Sequence, residues 1–216
     1  TGEHWFMHFQ DRDAYGRIVH LQPMRWVDDW PVMGEDINGD GIGEPVLRFK
    51  KPVTTSEGII LPETSDAFND AVLGLQWQWN ANPRDCWFSL TERKGCLRLF
   101  TGQWSKADKP LLYDTPNILT QLFQGPEFTA TAKLEFFPQE NGDMAGLAVL
   151  GDEYAAVVAE KTPNGNRIAF CRGTSNDGKR FEASTELEQA AGSLVFFRVR
   201  VVPEAQCTFS YSFDGE

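Results

Sequence analysis

Apolar and polar residues alternate along much of this chain of 216 residues. The clearest case is residues 128–136, where every second residue is apolar and those between are threonine, lysine or glutamate. A period of two gives a β-strand one apolar face and one polar face. Further strands are predicted at residues 73–79, 144–150, 154–160, 167–172, 195–202 and 207–213.

Helical periodicity is absent from the sequence, and residues 184–191 are expected to form a short helical turn at most. Turn-forming residues separate the predicted strands at positions 141–143, 163–166 and 176–178. Asn164-Gly165 in particular favours a tight hairpin, because both residues tolerate a positive φ. Short antiparallel strands without helices predict an all-β chain whose larger part is a two-sheet, jelly-roll-like sandwich.

The first fifty residues contain hairpins of their own. Apolar runs at residues 5–9 and 18–24 alternate with turn residues at 11–16 and 28–29. Two or three strands bury no core by themselves, yet this segment holds three of the seven tryptophans and all three histidines. We interpret it as one part of a functional site whose other parts lie elsewhere.

A change of composition divides the chain. The stretch KKPVTTSEGIILPETSD, residues 50–66, has the prolines, glycine, serines and threonines of an extended interdomain linker. We therefore predict an incomplete domain at residues 1–50, a linker at 51–66 and the sandwich at 67–216. The sequence stops on a turn where a sandwich would have a return strand, so both ends are expected to be cut.

Composition excludes several classes of protein. A hydrophobic content of 41%, with 12% aromatic residues, is ample for a packed core. The net charge of −11 argues against a nucleic-acid partner, because phosphates require a basic face. No apolar stretch approaches the roughly 20 residues that cross a bilayer, so no membrane partner is expected. A neutral ligand is compatible with this negative net charge. Whether the protein is extracellular, periplasmic or cytoplasmic is not predicted.

The four cysteines stand singly in the sequence, at Cys86, Cys96, Cys171 and Cys207. Without a CxxC pair or a cluster with histidine, a zinc site is not expected. Cys86 and Cys96 either form a disulfide across neighbouring strands or are buried free thiols, and the second interpretation is favoured.

Two blocks of sequence resemble a known family. The run YGRIVHLQP at residues 15–23, followed by Trp26 and DDWPV at 28–32, resembles the end of the five-bladed β-propeller of family 43 glycoside hydrolases, the β-xylosidases and α-L-arabinofuranosidases. LGLQWQWN at residues 73–80 and WFSL at 87–90 are similar to the concanavalin A-like sandwich that follows the propeller. The resemblance implies inverting hydrolysis of β-xylosidic or α-L-arabinofuranosidic linkages in hemicellulose. Its implied partners are a xylo- or arabino-oligosaccharide and a propeller domain of the same polypeptide.

The resemblance places the catalytic carboxylates of this family on earlier blades, upstream of residue 1, so no catalytic residue is assigned here and the chain alone is expected to be inactive. Its own early acidic residues lie in predicted turns, where carboxylates are common as caps. Arg17 matches the pocket arginine of the β-xylosidases, whose guanidinium faces substrate hydroxyls and a carboxylate. Its alternative role is that of an exposed turn arginine.

Two further substrate-contacting candidates are His20 and Phe123. His20 shares one side of its predicted strand with Ile18 and Gln22. It either helps to bind a metal or water near a propeller axis, as a histidine does in some relatives, or is a hydrogen-bonded core residue. Phe123 either lends its ring to the mouth of the active site, as the resemblance implies, or packs in the sandwich core.

The run DINGDGIGE at residues 36–44 carries oxygen ligands at alternate positions and resembles the opening of a calcium loop. The candidate ligands are Asp36, Asn38, Asp40 and Glu44. The twelfth position is Leu47 rather than the usual glutamate, and a hairpin stabilised by Asx-turns is the alternative. No other cofactor is expected.

A non-catalytic carbohydrate-binding module is the rival hypothesis, because tryptophans can form a platform on which sugars stack. Trp77 and Trp79 alternate with polar residues and share a predicted face with Leu73 and Leu75, which favours core packing for them. Trp104, in a polar loop, is the candidate for an exposed aromatic.

Overall fold

The computed structural model describes residues 2–52, 58, 61–103, 111–175, 180–190 and 192–216. It divides into two compact units, Thr1–Leu61 and Pro62–Glu216. Within the described residues the regular structure is antiparallel β with short 3₁₀ turns, which confirms the all-β prediction. No helix in the described part of the chain is long and apolar enough to cross a bilayer.

The first unit is built on one three-stranded sheet in the order β1-β2-β3. Its strands are β1 (His4–Asp11), β2 (Arg17–Val27) and β3 (Trp30–Met33). The hairpin between β2 and β3 turns at Asp28 and Asp29, whose φ values are +49° and +61°. Two consecutive positive φ values give the turn the twist that matches a β-hairpin, so the predicted turn at residues 28–29 is confirmed.

After β3 the chain folds back against the sheet, and glycines allow this close approach. A Cβ atom on Gly34 would lie 2.0 Å from the carbonyl oxygen of Glu44, and one on Gly43 would lie 1.9 Å from that of Met33. Glu35 and Glu44 exchange backbone hydrogen bonds of 3.0 and 2.8 Å. Any side chain at either glycine would push the returning segment off the sheet.

The second unit contains the remaining described strands. They are β4 (Gln78–Trp79), β5 (Phe88–Ser89), β6 (Arg98–Leu99), β7 (Leu119–Thr120), β8 (Phe128–Glu135), β9 (Met144–Leu150), β10 (Glu153–Thr162), β11 (Gly165–Thr174), β12 (Phe181–Gln189), β13 (Leu194–Val202) and β14 (Gln206–Ser212). The larger sheets have the orders β12-β11-β10-β9 and β14-β13-β8, and β4-β7 and β5-β6 form two short pairs.

The core of the second unit lies between the two larger sheets. Val157 and Ile168, from the four-stranded sheet, are buried in one cluster with Val195 and Phe197 from β13. Ala159 and Phe136, the latter just after β8, belong to the same cluster. Apolar residues from two facing sheets thus interdigitate, which confirms the two-sheet sandwich.

Three local predictions were wrong. Residues 184–191 fall largely in β12, a strand that pairs with β11 and contains a bulge opposite Ile168 and Ala169. Of residues 73–79 only the last two form a strand, and Leu75 is fully exposed because the chain turns there, with the N–H of Trp77 donating to the carbonyl of Gly74. All four cysteines are free, which confirms free thiols at Cys86 and Cys96, but Cys86 is exposed and Cys96 half-buried, so their predicted burial was wrong. The predicted turn at 176–178 lies outside the described residues.

Candidate functional site

The two candidate residues on β2 lie on opposite faces of the sheet. β1 and β2 pair without interruption from His4 opposite Met24 to Asp11 opposite Arg17. Successive side chains of a strand point to opposite faces, so Arg17 shares its face with Phe9 and Asp11. His20 belongs to the other face, where it lies opposite His8.

Arg17 is the first residue of β2, and its side chain lies over its cross-strand neighbours. The guanidinium carbon is 5.0 Å from the centroid of the Phe9 ring. The Nε atom is 4.0 Å from Oδ2 of Asp11, and the two side chains are 70% and 66% exposed. An ion pair so exposed contributes about 0–1 kcal/mol. The guanidinium thus keeps donors for a further partner, and a planar fork of donors suits hydroxyl groups and carboxylates.

Asp11 has a second role in the same hairpin. Its Oδ1 atom accepts a hydrogen bond of 3.2 Å from the backbone N–H of Asp13, and Asp13 has a φ of +52°. The carboxylate therefore caps the turn, as expected for the acidic residues of this segment.

His20 belongs to a row of three half-buried rings. It stacks on His8 with ring centroids 5.2 Å apart, and His8 stacks on Phe6 at 5.3 Å. His4, on the same face, meets Trp26 edge to face at 6.2 Å. All three histidines of the chain therefore share one face of this sheet. The sequence motif singled out His20 and not His8, although a hairpin symmetric about residue 14 places residues 8 and 20 opposite each other.

Gln22, two residues beyond His20 on the same face, fastens the returning segment. Its side chain is buried, its Nε2 donates to the carbonyl of Val46 at 3.2 Å, and its Oε1 accepts from the N–H of Val46 at 2.8 Å. Both ends of the side-chain amide are thus satisfied by the backbone of one residue, as a buried polar group requires.

The loop at residues 36–44 is organised by its own side chains. The Oδ1 and Oδ2 atoms of Asp36 accept hydrogen bonds from the N–H groups of Gly39 and Gly41 at 2.7 and 3.0 Å. Arg25 donates to the same Oδ2 at 3.3 Å. Burial acts to raise the pKa of Asp36, but the two N–H groups and the charge of Arg25 outweigh it, so this pKa is lowered.

The other candidate calcium ligands also serve the loop. Oδ1 of Asn38 accepts from the N–H of Asp40 at 3.1 Å, and Oδ1 of Asp40 accepts from that of Ile42 at 2.8 Å. Glu44 pairs through its backbone with Glu35. Among the residues that the structure describes, no group of three or more histidine, cysteine, aspartate or glutamate side chains is arranged to hold a metal. Asx-turns account for the loop, and the calcium site stays a prediction.

Phe123, in the second unit, is half-buried. Its ring meets that of Phe128, the first residue of β8, edge to face at 5.1 Å. The preceding Leu122 is 74% exposed. The loop therefore presents leucine to the surface and turns the aromatic ring towards the sandwich, and a role for Phe123 at the substrate stays a prediction.

The tryptophans of the second unit that the structure describes are engaged in packing. Trp77 stacks on Phe68 and donates from Nε1 to Oδ2 of Asp66 at 2.8 Å. Trp79 packs against Trp87, which is fully buried. Trp104 lies outside the described residues. No sugar-stacking row is formed by these three rings.

Comparison with known proteins identifies the family of the second unit. Residues 65–216 match the family described as the β-xylosidase C-terminal concanavalin A-like domain of family 43 glycoside hydrolases (GH43). The chain belongs to this family. The match confirms the family resemblance of the sequence, and the sandwich described above is the GH43 C-terminal domain.

Curated relatives of this GH43 chain are named as glycosidases. A putative β-xylosidase of Xylanibacter ruminicola is 38% identical over 220 residues, covering 100% of this chain and 38% of the relative. A β-xylosidase of Formosa agariphila is 34% identical, covering 77% and 31%. A non-reducing end α-L-arabinofuranosidase of Bacteroides ovatus is 32% identical, covering 75% and 29%. The chain thus spans less than two-fifths of the length of these relatives.

A solved structure extends the comparison. A GH43 protein of Bacillus licheniformis superposes with a TM-score of 0.74 at 25% sequence identity. The superposition covers 100% of this chain and 40% of that protein. The present chain therefore shares the all-β fold of the corresponding part of a GH43 protein.

Proposed function

We propose that this chain is the C-terminal part of an inverting glycoside hydrolase that cleaves β-xylosidic or α-L-arabinofuranosidic linkages of hemicellulose. The observation that carries the proposal is the family match over residues 65–216. It is supported by the putative β-xylosidase of Xylanibacter ruminicola, which is 38% identical in an alignment that covers the whole chain. The relatives include an α-L-arabinofuranosidase, so both sugars remain candidate substrates.

In this proposal the catalytic carboxylates are supplied by other parts of the hydrolase, and Arg17 supplies a substrate contact. Inverting hydrolysis needs two facing carboxyl groups, one acid and one base. An arginine beside them donates hydrogen bonds to sugar hydroxyls and, by its charge, keeps a neighbouring carboxylate ionised. The exposed guanidinium of Arg17 fits this task, since its ion pair with Asp11 is long and solvated.

We also propose that the three-stranded sheet of the first unit is part of a β-propeller. Met7, Phe9, Val19 and Leu21 are exposed on one face of that sheet. They form two cross-strand pairs, Met7 with Leu21 and Phe9 with Val19. An apolar sheet face is stable only when another layer covers it, and an adjacent blade of a propeller would do so.

The proposal is tested in the full-length hydrolase with aryl β-xyloside and aryl α-L-arabinofuranoside substrates. Arg17→Ala is expected to lower kcat/KM by about 10- to 100-fold, the loss that follows removal of a charged hydrogen bond. Arg12→Ala, in the turn before β2, is the matched control. Unchanged turnover in Arg17→Ala would remove Arg17 from the site, and no cleavage of either substrate by the native enzyme would refute the assignment.

A further inference from the structure

We propose that Phe9 is a positioning residue for Arg17. The inference rests on the proposed function of Arg17 as a substrate contact. It goes further because it assigns a task to an exposed aromatic residue on β1. Phe9 and Arg17 are diagonal neighbours on one face of the hairpin, since Phe9 pairs with Val19 and Asp11 pairs with Arg17.

The ring of Phe9 is the nearest aromatic partner recorded for the guanidinium of Arg17 in the described part of the chain. The guanidinium carbon lies 5.0 Å from the ring centroid, within the range of a cation–π interaction. The only other described contact of the Arg17 side chain is Oδ2 of Asp11, 4.0 Å from Nε. That distance is too long for a directed hydrogen bond, so Asp11 attracts the charge without setting its orientation.

Orientation matters because arginine recognises ligands through a planar fork of donors. The arginine side chain has several rotatable bonds, and an exposed one loses much entropy when it is fixed. A ring 5.0 Å from the guanidinium carbon restricts this side chain before the ligand arrives. Such preorganisation raises the affinity of a contact without adding any bond to the ligand.

The face of the sheet provides a reason for an aromatic residue at this position. Val19, directly opposite Phe9, and Met7, two residues before it, are aliphatic. Either type of side chain would cover the same apolar surface, but only an aromatic ring carries the negative π face that attracts a cation. Phe9 is 57% exposed within its unit, and a layer that covers this face, as proposed above, would pack equally well on an aliphatic side chain.

The test is a double-mutant cycle in the full-length hydrolase with Phe9→Leu, Arg17→Ala and the double variant. Phe9→Leu is expected to lower kcat/KM by about two- to fivefold, the equivalent of an exposed cation–π contact. Its effect is expected to vanish in the Arg17→Ala background, where no cation faces the ring. Phe9→Trp, which keeps an aromatic ring, is expected to have the native kcat/KM. If the role of Phe9 were purely apolar, Phe9→Leu would have the native kcat/KM as well. Trp30→Leu, an exposed aromatic on the neighbouring strand β3, is the matched control.

A second measurement follows the contact itself in the 216-residue chain. The ring current of Phe9 shifts the Arg17 Nε–H resonance, so Phe9→Leu is expected to move that resonance and Trp30→Leu to leave it. A resonance unmoved by Phe9→Leu, or additive effects in the kinetic cycle, would overturn the positioning role. Loss of activity in Arg17→Ala with native activity in Phe9→Leu would overturn this inference alone. Native activity in Arg17→Ala would instead overturn the proposed function.

Discussion

His8 and His20 face each other across β1 and β2, and their ring centroids lie 5.2 Å apart with 26° between the ring planes. Phe6 extends the stack on the other side of His8, at 5.3 Å. The two strands are thus joined by rings as well as by backbone hydrogen bonds. On this geometry His20 contributes to the stability of the hairpin, whatever it contributes to a ligand.

We expect His20→Ala to lower the free energy of unfolding of the chain by about 1 kcal/mol, because an aromatic pair across strands contributes about that much. His20→Phe, which keeps a flat ring opposite His8, is expected to be nearly neutral. Urea denaturation of the 216-residue chain measures both. Equal losses in the two variants would show that hydrogen bonding by the imidazole, rather than stacking, is what the hairpin needs.

Gln22 gives a second prediction about stability. Replacing it with alanine removes its two hydrogen bonds to the backbone of half-buried Val46, which together contribute about 2 kcal/mol. Gln10→Ala, an exposed glutamine on the same face of the hairpin, is the control and is expected to change stability by less than about 0.5 kcal/mol. Chemical denaturation followed by tryptophan fluorescence compares the two. Similar values for Gln10→Ala and Gln22→Ala would contradict the fastening role.

The sandwich should show an acid-sensitive ion pair between Arg93 and Glu135. Two hydrogen bonds of 2.6 and 2.9 Å join the guanidinium to the carboxylate. The hydrogen bond from Arg93 lowers the pKa of Glu135 from its ordinary value of 4.5. Stability from this pair is therefore present above pH 4.5 and is lost as the pH falls through the lower, folded-state pKa. Glu135→Gln should flatten the dependence of the free energy of unfolding on pH below pH 4.5.

The predicted calcium loop can be tested by removing Arg25, which would compete with calcium for Asp36. A cation bound by Asp36, Asn38, Asp40 and Glu44 would have to displace Arg25, which lies 3.3 Å from Asp36. We therefore expect calcium to raise the Tm of Arg25→Gln more than that of the native chain, because ligand binding to the folded state stabilises it. Differential scanning calorimetry at increasing calcium concentration measures the shift. Unchanged Tm values in both proteins would remove the four residues as ligands.

The rival hypothesis of a carbohydrate-binding module predicts that the chain binds xylan by itself. We expect no retardation of the 216-residue chain in a xylan-containing native gel, since Trp77 is held by Asp66 and Trp79 packs on buried Trp87. Retardation would favour the module. If Trp104→Ala then abolished it, the binding site would include that tryptophan.

Much of this fold follows from local pattern. Strand β9 has the predicted bounds, and β8 falls within its predicted range, because each alternates in polarity and has turn residues at its ends. Strand β12 escaped prediction because its exposed glutamates are typical of a helix surface, and only pairing with β11 makes it a strand. Leu75 was misplaced for the opposite reason, since alternation alone does not show where a strand is interrupted by a turn.

The candidate site was predictable by residue type but not by contact. Arg17 and Asp36 were recognisable from their motifs. The partners of Arg17 depend on the register of β1 against β2, which places Phe9 diagonally beside it. The contact between Arg25 and Asp36 joins residues eleven positions apart across the fold-back after β3. Such contacts depend on the three-dimensional path of the chain, which no periodicity encodes.

Because Arg17 and His20 lie on opposite faces of β2, substitutions on the two faces of this strand are expected to affect different properties of the protein. On the proposed role of Arg17, substitutions on its side of the strand would alter ligand recognition and leave the stacked rings and the hydrogen bonds of Gln22 in place. Substitutions on the histidine side can adjust stability with Arg17 in place. A laboratory evolution experiment could therefore randomise the two faces of this strand in separate libraries. One library would be selected for sugar preference and the other for heat resistance, and the best variants of the two would then be combined.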